Sequence, residues 1–283
     1  MRYTFKQFQE RFPTDDACLQ YLFEARYSGM KVCPKCGVAD PKYYRVSGRK
    51  VYECKDCGNQ LSPTANTIFH KSDTPLRSWF YVMFMFSVSK NGVSAKEVER
   101  TLGVTYKTAW RMARLVRSLM QDANYTLHGT LELDETYIGG SRKLAHKFDN
   151  KSIVFGMVER QGRIKAYHVK SSGARVLLPE ITRSIGRDAL IHTDEWGAYR
   201  KLSRMGYSHT TVNHAKLEYV RGTAYTNTIE GFWSQLKRSM DGTYHAVSPK
   251  YLQNYLNEFV YRYNRRTKLV FPDLVAAAVR RVG

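Results

Sequence analysis

Apolar and aromatic positions change their spacing several times along the chain, and each change marks an element. Phe5, Phe8 and Phe12, then Cys18, Leu19, Leu22 and Phe23, recur at helical intervals. Pro13-Thr14-Asp15-Asp16 interrupts them and starts a new helix with Thr14 as its N-cap. Leu76–Lys90 reads as an aromatic-rich helix ending near Asn91-Gly92. Ser94-Ala-Lys-Glu97 has the capping-box pattern and opens a second helix that turns Val98 and Leu102 inward. Gly103 makes a turn, and Tyr106–Met120 is a third helix with Ala109, Met112, Ala113, Val116 and Met120 on its core face. Lys107, Arg111, Arg114 and Arg117 are expected elsewhere on that helix.

From Thr130 the pattern becomes that of strands. Thr130–Ile138 is the first; Ser152–Arg160 and Arg163–Lys170 follow as a hairpin turning at Gln161-Gly162. A helix over Val176–Ser184 precedes a fourth strand, Leu190–Asp194. Tyr199–Met205 reads as a short helix and His209–Val212 as a fifth strand. Helical spacing returns over Asn227–Met240 and again in the stripe Tyr251, Leu252, Tyr255, Leu256, Phe259 and Tyr263, which reads as a buried face. Pro272 begins a short last helix. The pattern alone supports an α/β fold.

Two of these strands carry a carboxylate where burial is expensive. Asp134 lies within LELDETYIGG and Asp194 within LIHTDEW, while Glu230 opens the helix reading IEGFWSQLKR. A charge on an apolar strand needs a partner. Three acids from separate elements point to a shared one, a hard divalent cation such as Mg²⁺ that takes oxygen ligands. Glu132 shares a strand face with Asp134, and a structural or solvent-exposed role is favoured over that of a fourth acid at the metal site. Glu135 and Glu195 point to the other face. Asn227 lies one turn before Glu230 and reads as a helix cap or a DNA contact. His192, His209, His214 and His245 lie near these motifs and read as structural histidines with satisfied nitrogens.

Four of the five cysteines form the pairs Cys33/Cys36 and Cys54/Cys57, each followed by a glycine and separated by 17 residues. This spacing fits a four-cysteine zinc ribbon, with a hairpin of Tyr43–Val46 and Arg49–Glu53 turning at Ser47-Gly48. A redox dithiol pair is the weaker alternative. Four sulfurs close the coordination shell, so the expected zinc is structural. Cys18 sits in an apolar stripe and reads as a buried thiol.

Charge narrows the partner. The 283 residues hold 45 Lys+Arg against 25 Asp+Glu, a net charge of +20, which favours a polyanion such as nucleic acid. No apolar run follows the basic start, and Trp79–Val88 is too short to span a bilayer. Helix, Gly103 turn and helix fit a helix-turn-helix with Lys107, Thr108 and Arg111 at the reading end. An ordinary helical pair with a solvated basic face fits the pattern equally well. On the Glu230 helix, Lys237 shares the face of Glu230, Trp233 and Ser234, about 10.5 Å along the axis, an offset suited to a DNA phosphate. Arg238 follows as a second candidate DNA contact.

Asp134, then Asp194, then 35 residues, then Glu230, with Lys237 seven positions on, resembles the DDE transposases and integrases. The ordered motifs TIFHKS, SAKEVERTLGV, DETYIGG, GMVER, TDEW, VNH, TNTIEGFWSQLKR and YNRR behind a four-cysteine ribbon resemble the zinc-ribbon insertion-sequence transposases of the ISXO2-like group, related to Merlin elements. The resemblance implies a ribonuclease-H-like catalytic domain and tips the helix-turn-helix reading towards DNA. It implies Asp134, Asp194 and Glu230 as catalytic residues on two Mg²⁺, with Mn²⁺ as a substitute, and one structural zinc on Cys33, Cys36, Cys54 and Cys57. The expected parts are an N-terminal helical segment (1–27), the ribbon (28–72), the helix-turn-helix domain (74–125), the catalytic domain (128–246) and C-terminal helices (247–283). The implied activity is binding of terminal inverted repeats with DNA cleavage and strand transfer. The implied setting is cytoplasmic and nucleoid-associated, as a homodimer or higher oligomer on double-stranded DNA and without a membrane partner. An inactive, domesticated zinc-ribbon regulator is the alternative.

Overall fold

The computed structural model describes residues 3–122, 124–139, 151–211 and 226–280. It divides into two compact units, residues 1–119 with 267–283, and residues 120–266.

The first unit opens with α1 (Phe5–Arg11) and α2 (Asp15–Tyr27). Thr14 caps α2, its hydroxyl accepting the Ala17 amide. The zinc-ribbon segment follows as β1 (Tyr43–Arg45), β2 (Tyr52–Cys54) and β3 (Gln60–Leu61), an antiparallel sheet in that order. Phe23 of α2 stacks on Tyr52 at 4.0 Å, and Arg26 donates to the Pro63 and Ala65 carbonyls at 2.7 Å each, tying ribbon to helix. Then come α3 (Leu76–Val88), α4 (Ala95–Leu102) and α5 (Tyr106–Leu119). Ser94 caps α4 through the Glu97 amide, and Gly103 ends it at φ +65°, a left-handed conformation that favours glycine.

The C-terminal helices, expected as one block, go to different units. The last helix, α9 (Val270–Ala278), packs on α3 and α5. Its stripe of Phe271, Leu274, Val275 and Ala278 is buried, and Phe271 lies within 6.0 Å of the rings of Phe8, Phe12 and Phe84. Full burial of one such side chain contributes about 1.5–3 kcal/mol.

The second unit is a five-stranded sheet with helices on both faces. Its strands are β4 (Thr130–Ile138), β5 (Ser152–Glu159), β6 (Ile164–Val169), β7 (Leu190–Thr193) and β8 (Ser208–Thr211), in the order β6-β5-β4-β7-β8. β4, β5 and β6 pair antiparallel; β4, β7 and β8 pair parallel. One core joins Leu131, Leu133, Phe155, Met157 and Ile191 to Leu177 and Ile181 of α6 (Ala174–Ser184). The other joins Val154, Val158 and Ile164 to α7 (Asn227–Ser239) and α8 (Pro249–Asn264). The expected buried stripe of α8 holds for Leu252, Leu256 and Phe259. The expected helix at Tyr199–Met205 is instead two short 3-10 turns, Gly197–Tyr199 and Ser203–Met205, divided around Leu202. No described helix is long and apolar enough to cross a membrane.

Candidate functional site

The four ribbon cysteines bring their sulfurs within 4.8 Å of one another. Both knuckles use the same backbone turn. The Gly37 amide donates to the Cys33 carbonyl and the Gly58 amide to the Cys54 carbonyl, each at 3.0 Å, with both glycines at positive φ. The Cys33 and Cys57 sulfurs are 3.8 Å apart. Tetrahedral zinc with bonds of about 2.3 Å separates its sulfurs by about 3.8 Å, so the cluster fits that ion. The Cys36 amide, with the Tyr43 hydroxyl at 3.3 Å, lowers the Cys33 thiol, while burial and the neighbouring sulfurs raise that of Cys57, so Cys33 is the first of the two to become a thiolate. Cys18, as expected, is a buried core thiol, and burial pushes it up to about 12.

Asp134 and Asp194 each stand two residues beyond the last paired residues of adjacent parallel strands, Glu132 and His192. Neighbouring strands lie about 4.8 Å apart, so this register sets the two aspartates side by side, Asp134 in the middle of β4 and Asp194 just past the end of β7. The Asp194 carboxylate accepts the Trp196 amide at 3.0 Å. Glu230 lies in the first turn of α7, and the Thr226 hydroxyl donates to it at 3.0 Å. Burial, with Asp194 and Glu230 adding to it, pushes the Asp134 carboxyl up to about 6. The Glu135 amide and the Trp233 indole pull the other way. Among the described residues only the cysteines gather three ligand atoms within 4.8 Å, so the three acids stand wider apart than the thiols. They nevertheless share one electrostatic environment, three like-charged oxygen donors that a hard divalent cation would relieve.

Two contacts seat α7 over the acids. Trp233 Nε1 donates to Asp134 Oδ2 at 2.9 Å. Its ring fits because Asp134 faces Gly156 on β5; a Cβ there would lie 2.6 Å from the indole. The second contact is Glu132, fully buried on the same face of β4. Its Oε2 accepts the Thr228 and Ile229 amides at 2.8 and 3.1 Å, and its Oε1 accepts the Thr228 hydroxyl and Arg160 Nε at 2.9 Å each. A strand carboxylate thus satisfies amides that the helix start leaves without partners. Asn227, expected as a cap or DNA contact, is the exposed first helical residue, and Thr226 holds the cap position. The glycine inside an otherwise apolar strand was the available sign of a close approach at Gly156. The Glu132 cap has no local sign, because its partners lie 96 and 97 positions away.

Glu135 turns to the opposite face. Its Oε1 and the Tyr199 hydroxyl are buried without hydrogen-bond partners. Burial pushes Glu135 up to about 8; the nearby Tyr199 lowers it, and Asp134 and Asp194 raise it. His192, expected to be satisfied, is buried with both ring nitrogens unpartnered. His209 Nε2 meets the Thr193 hydroxyl at 2.9 Å, and His245 Nδ1 the Asp241 carbonyl at 2.8 Å. His214 lies outside the described residues.

On α5, Lys107 and Arg111 are exposed and Thr108 is half-buried. Arg111 reaches the His70 carbonyl at 3.4 Å and lies 5.9 Å over the Trp79 ring. Arg117, expected away from the core, is buried. Its Nη2 donates to the Val93 carbonyl at 2.8 Å and its guanidinium lies over Phe86, so the long side chain spans the apolar face to reach an acceptor. Lys237 and Arg238 are exposed on α7, and Arg238 donates to Gln235 at 3.4 Å.

A protein of Halobacterium salinarum, "Uncharacterized protein in transposable element ISH50", is 25% identical over 274 residues, covering 89% of this chain and 91% of its own. An "Uncharacterized transposase-like protein" of Haemophilus influenzae is 28% identical over 88 residues, 31% of this chain and 70% of its own. Residues 13–60 match the transposase zinc-ribbon domain, and residues 126–264, which hold all three acids, match the ISXO2-like transposase domain. With both domains present in this order, the chain belongs to the zinc-ribbon, ISXO2-like transposase family.

Proposed function

We propose that the chain is a DNA transposase that binds the terminal inverted repeats of its own insertion sequence and catalyses cleavage and strand transfer. Asp134, Asp194 and Glu230 are its catalytic carboxylates. The observation that carries this reading is the matched register of Asp134 and Asp194 on the adjacent parallel strands β4 and β7, with Glu230 on a helix fastened to the same face by Trp233 and Glu132. The strand order β6-β5-β4-β7-β8, three antiparallel strands and two parallel ones, supports a ribonuclease-H-like assignment for this unit.

The three acids are the ligands for two Mg²⁺, or Mn²⁺ in their place. When bound, such ions activate a water or 3′-hydroxyl and stabilise the leaving oxygen of a phosphodiester. The chain's own contribution is placement. Trp233 fixes one Asp134 oxygen, the Trp196 amide fixes Asp194, and the Thr226 hydroxyl fixes Glu230. Lys237 and Arg238, exposed on the same helix, hold DNA phosphates. The pair α4 and α5, turning at Gly103, serves as a helix-turn-helix, with Lys107, Thr108 and Arg111 reading the terminal repeats. The zinc ribbon is a structural, basic part of the DNA-binding half. Two ends must meet for joining, so the working form is a dimer or higher oligomer on DNA, in the cytoplasm at the nucleoid.

The test is a strand-transfer assay with duplexes carrying the ends of the element, in Mg²⁺. Asp134→Asn and Asp194→Ala are expected to bind ends as the wild type does and to lose both cleavage and joining. Normal cutting by either variant would overturn the assignment.

A further inference from the structure

The edge strand β6 carries a lysine that neither the acids nor the zinc ribbon uses. Lys165 is 8% exposed, and among the described residues no carboxylate lies within salt-bridge distance of it. Such burial is costly for an ammonium without an anion. Lys165 pairs with Met157, in the core against α6, so it faces away from Asp134, which is aligned with Gly156 on the α7 side.

Its surroundings are those of an anion site. Lys165 Nζ lies 4.7 Å over the Tyr125 ring, and the Arg163 guanidinium lies 4.5 Å over the same ring. Arg183 stands 5.8 Å over the ring of Tyr167, paired with Glu180. Two hollows of about 350 and about 340 Å³ share Lys165, Tyr125 and Tyr167 as walls. Tyr125 is fixed at its far end, donating to the Ile164 carbonyl at 2.6 Å and accepting from Asn264 at 2.8 Å. Burial, and then Arg183, lowers the pKa of Lys165, and Glu180 raises it.

We propose that Lys165, flanked by Arg163 and Arg183 and floored by Tyr125 and Tyr167, is a phosphate-binding site on the sheet face opposite the acids. Glu180 and Asp122 are the carboxylates nearby, and Asp122 is paired with Arg265, so the three cations leave the site positive, which suits a phosphate oxygen. That the phosphate belongs to a DNA backbone rests on the transposase reading. On that reading this site holds a stretch of duplex separate from the one at the acids.

The test uses the full-length protein and a fluorescein-labelled duplex, with affinity followed by anisotropy across a KCl series. Lys165→Met removes the charge and keeps an apolar stem in the hollow. It is expected to weaken binding at every salt concentration and to lower the salt slope by about 1. Melting curves show whether the variant is folded; if it is not, Arg163→Gln, a change on an exposed side chain, is read in its place. A second arm follows the melting temperature in inorganic phosphate. A stabilisation lost in the variant, with DNA binding unchanged, supports the site and assigns it to free phosphate. Unchanged slope, affinity and phosphate response together would overturn the proposal. A failure of the catalytic assignment shows in cutting, and a failure of this site shows in binding.

Discussion

The indole of Trp233 and the carboxylate of Asp134, 99 positions apart in the chain, meet at 2.9 Å over a gap that Gly156 leaves in the sheet. One bond thus docks α7, which carries Glu230, and orients the aspartate at the centre of the site.

Filling that gap should loosen both. Gly156→Ala places a Cβ 2.6 Å from the ring and forces the indole outward. Overpacking of this kind costs about 1–3 kcal/mol. The expected result in a denaturant melt is a loss of that size, with strand transfer falling further than stability alone accounts for. Trp233→Phe, which keeps the ring contact but drops the N–H, should retain most stability and still lose activity.

Glu132 gives a second lever on α7. Glu132→Ala leaves Arg160 and two helix amides facing a void, and breaking a buried pair from one side costs about 3–5 kcal/mol. Glu132→Gln keeps the shape but sets an amide NH₂ among donors, so it should recover only part of the loss. A double-mutant cycle with Arg160→Met separates the ion pair from the helix cap; an additive cycle would remove the ion pair from the account.

The Asp134 carboxyl sits at about 6 in the fold against 3.8 unperturbed, chiefly through burial. Between those values the folded chain holds more protons than the unfolded chain, so stability declines as pH rises through the window and stays reduced above it. Asp134→Asn removes that penalty. In metal-free buffer the variant should melt higher than wild type above pH 6, with the gap closing as pH falls from 6 towards 3.8. Calorimetry across that range checks it, and a gap independent of pH would count against the buried charge as its cause.

The ribbon should bind one zinc per chain. A chelator, or Cys36→Ala, should release the metal and unfold the ribbon, because the sheet of short strands has little core apart from Tyr52 and its contact with Phe23. Elemental analysis and circular dichroism before and after chelation read this. An unchanged spectrum after complete zinc loss would show that the ribbon stands without it.

Local spacing made much of this molecule legible. The strand Thr130–Ile138, the Thr14 cap, the paired glycines after the cysteine knuckles and the buried stripe of α8 all follow from interactions within a few residues. The register of Asp134 against Asp194 was legible only as two acids on two apolar strands. What stayed hidden was distant pairing. Nothing near Glu132 announces a helix start 96 positions on, and nothing near Arg117 marks the Val93 carbonyl that lets a cation lie in the core. The α9 stripe was visible as apolar, but its spacing does not say which unit it buries against.

That last helix has a consequence for synthesis. Phe271 closes the aromatic cluster of Phe8, Phe12 and Phe84, so the half containing the zinc ribbon cannot finish assembling until α9, made after the whole of the second unit, has left the ribosome. A product truncated before Val270 would carry every cysteine and Asp134, Asp194 and Glu230 yet emerge with an unfinished front half. The order of synthesis thereby withholds a finished first unit until α9 is made.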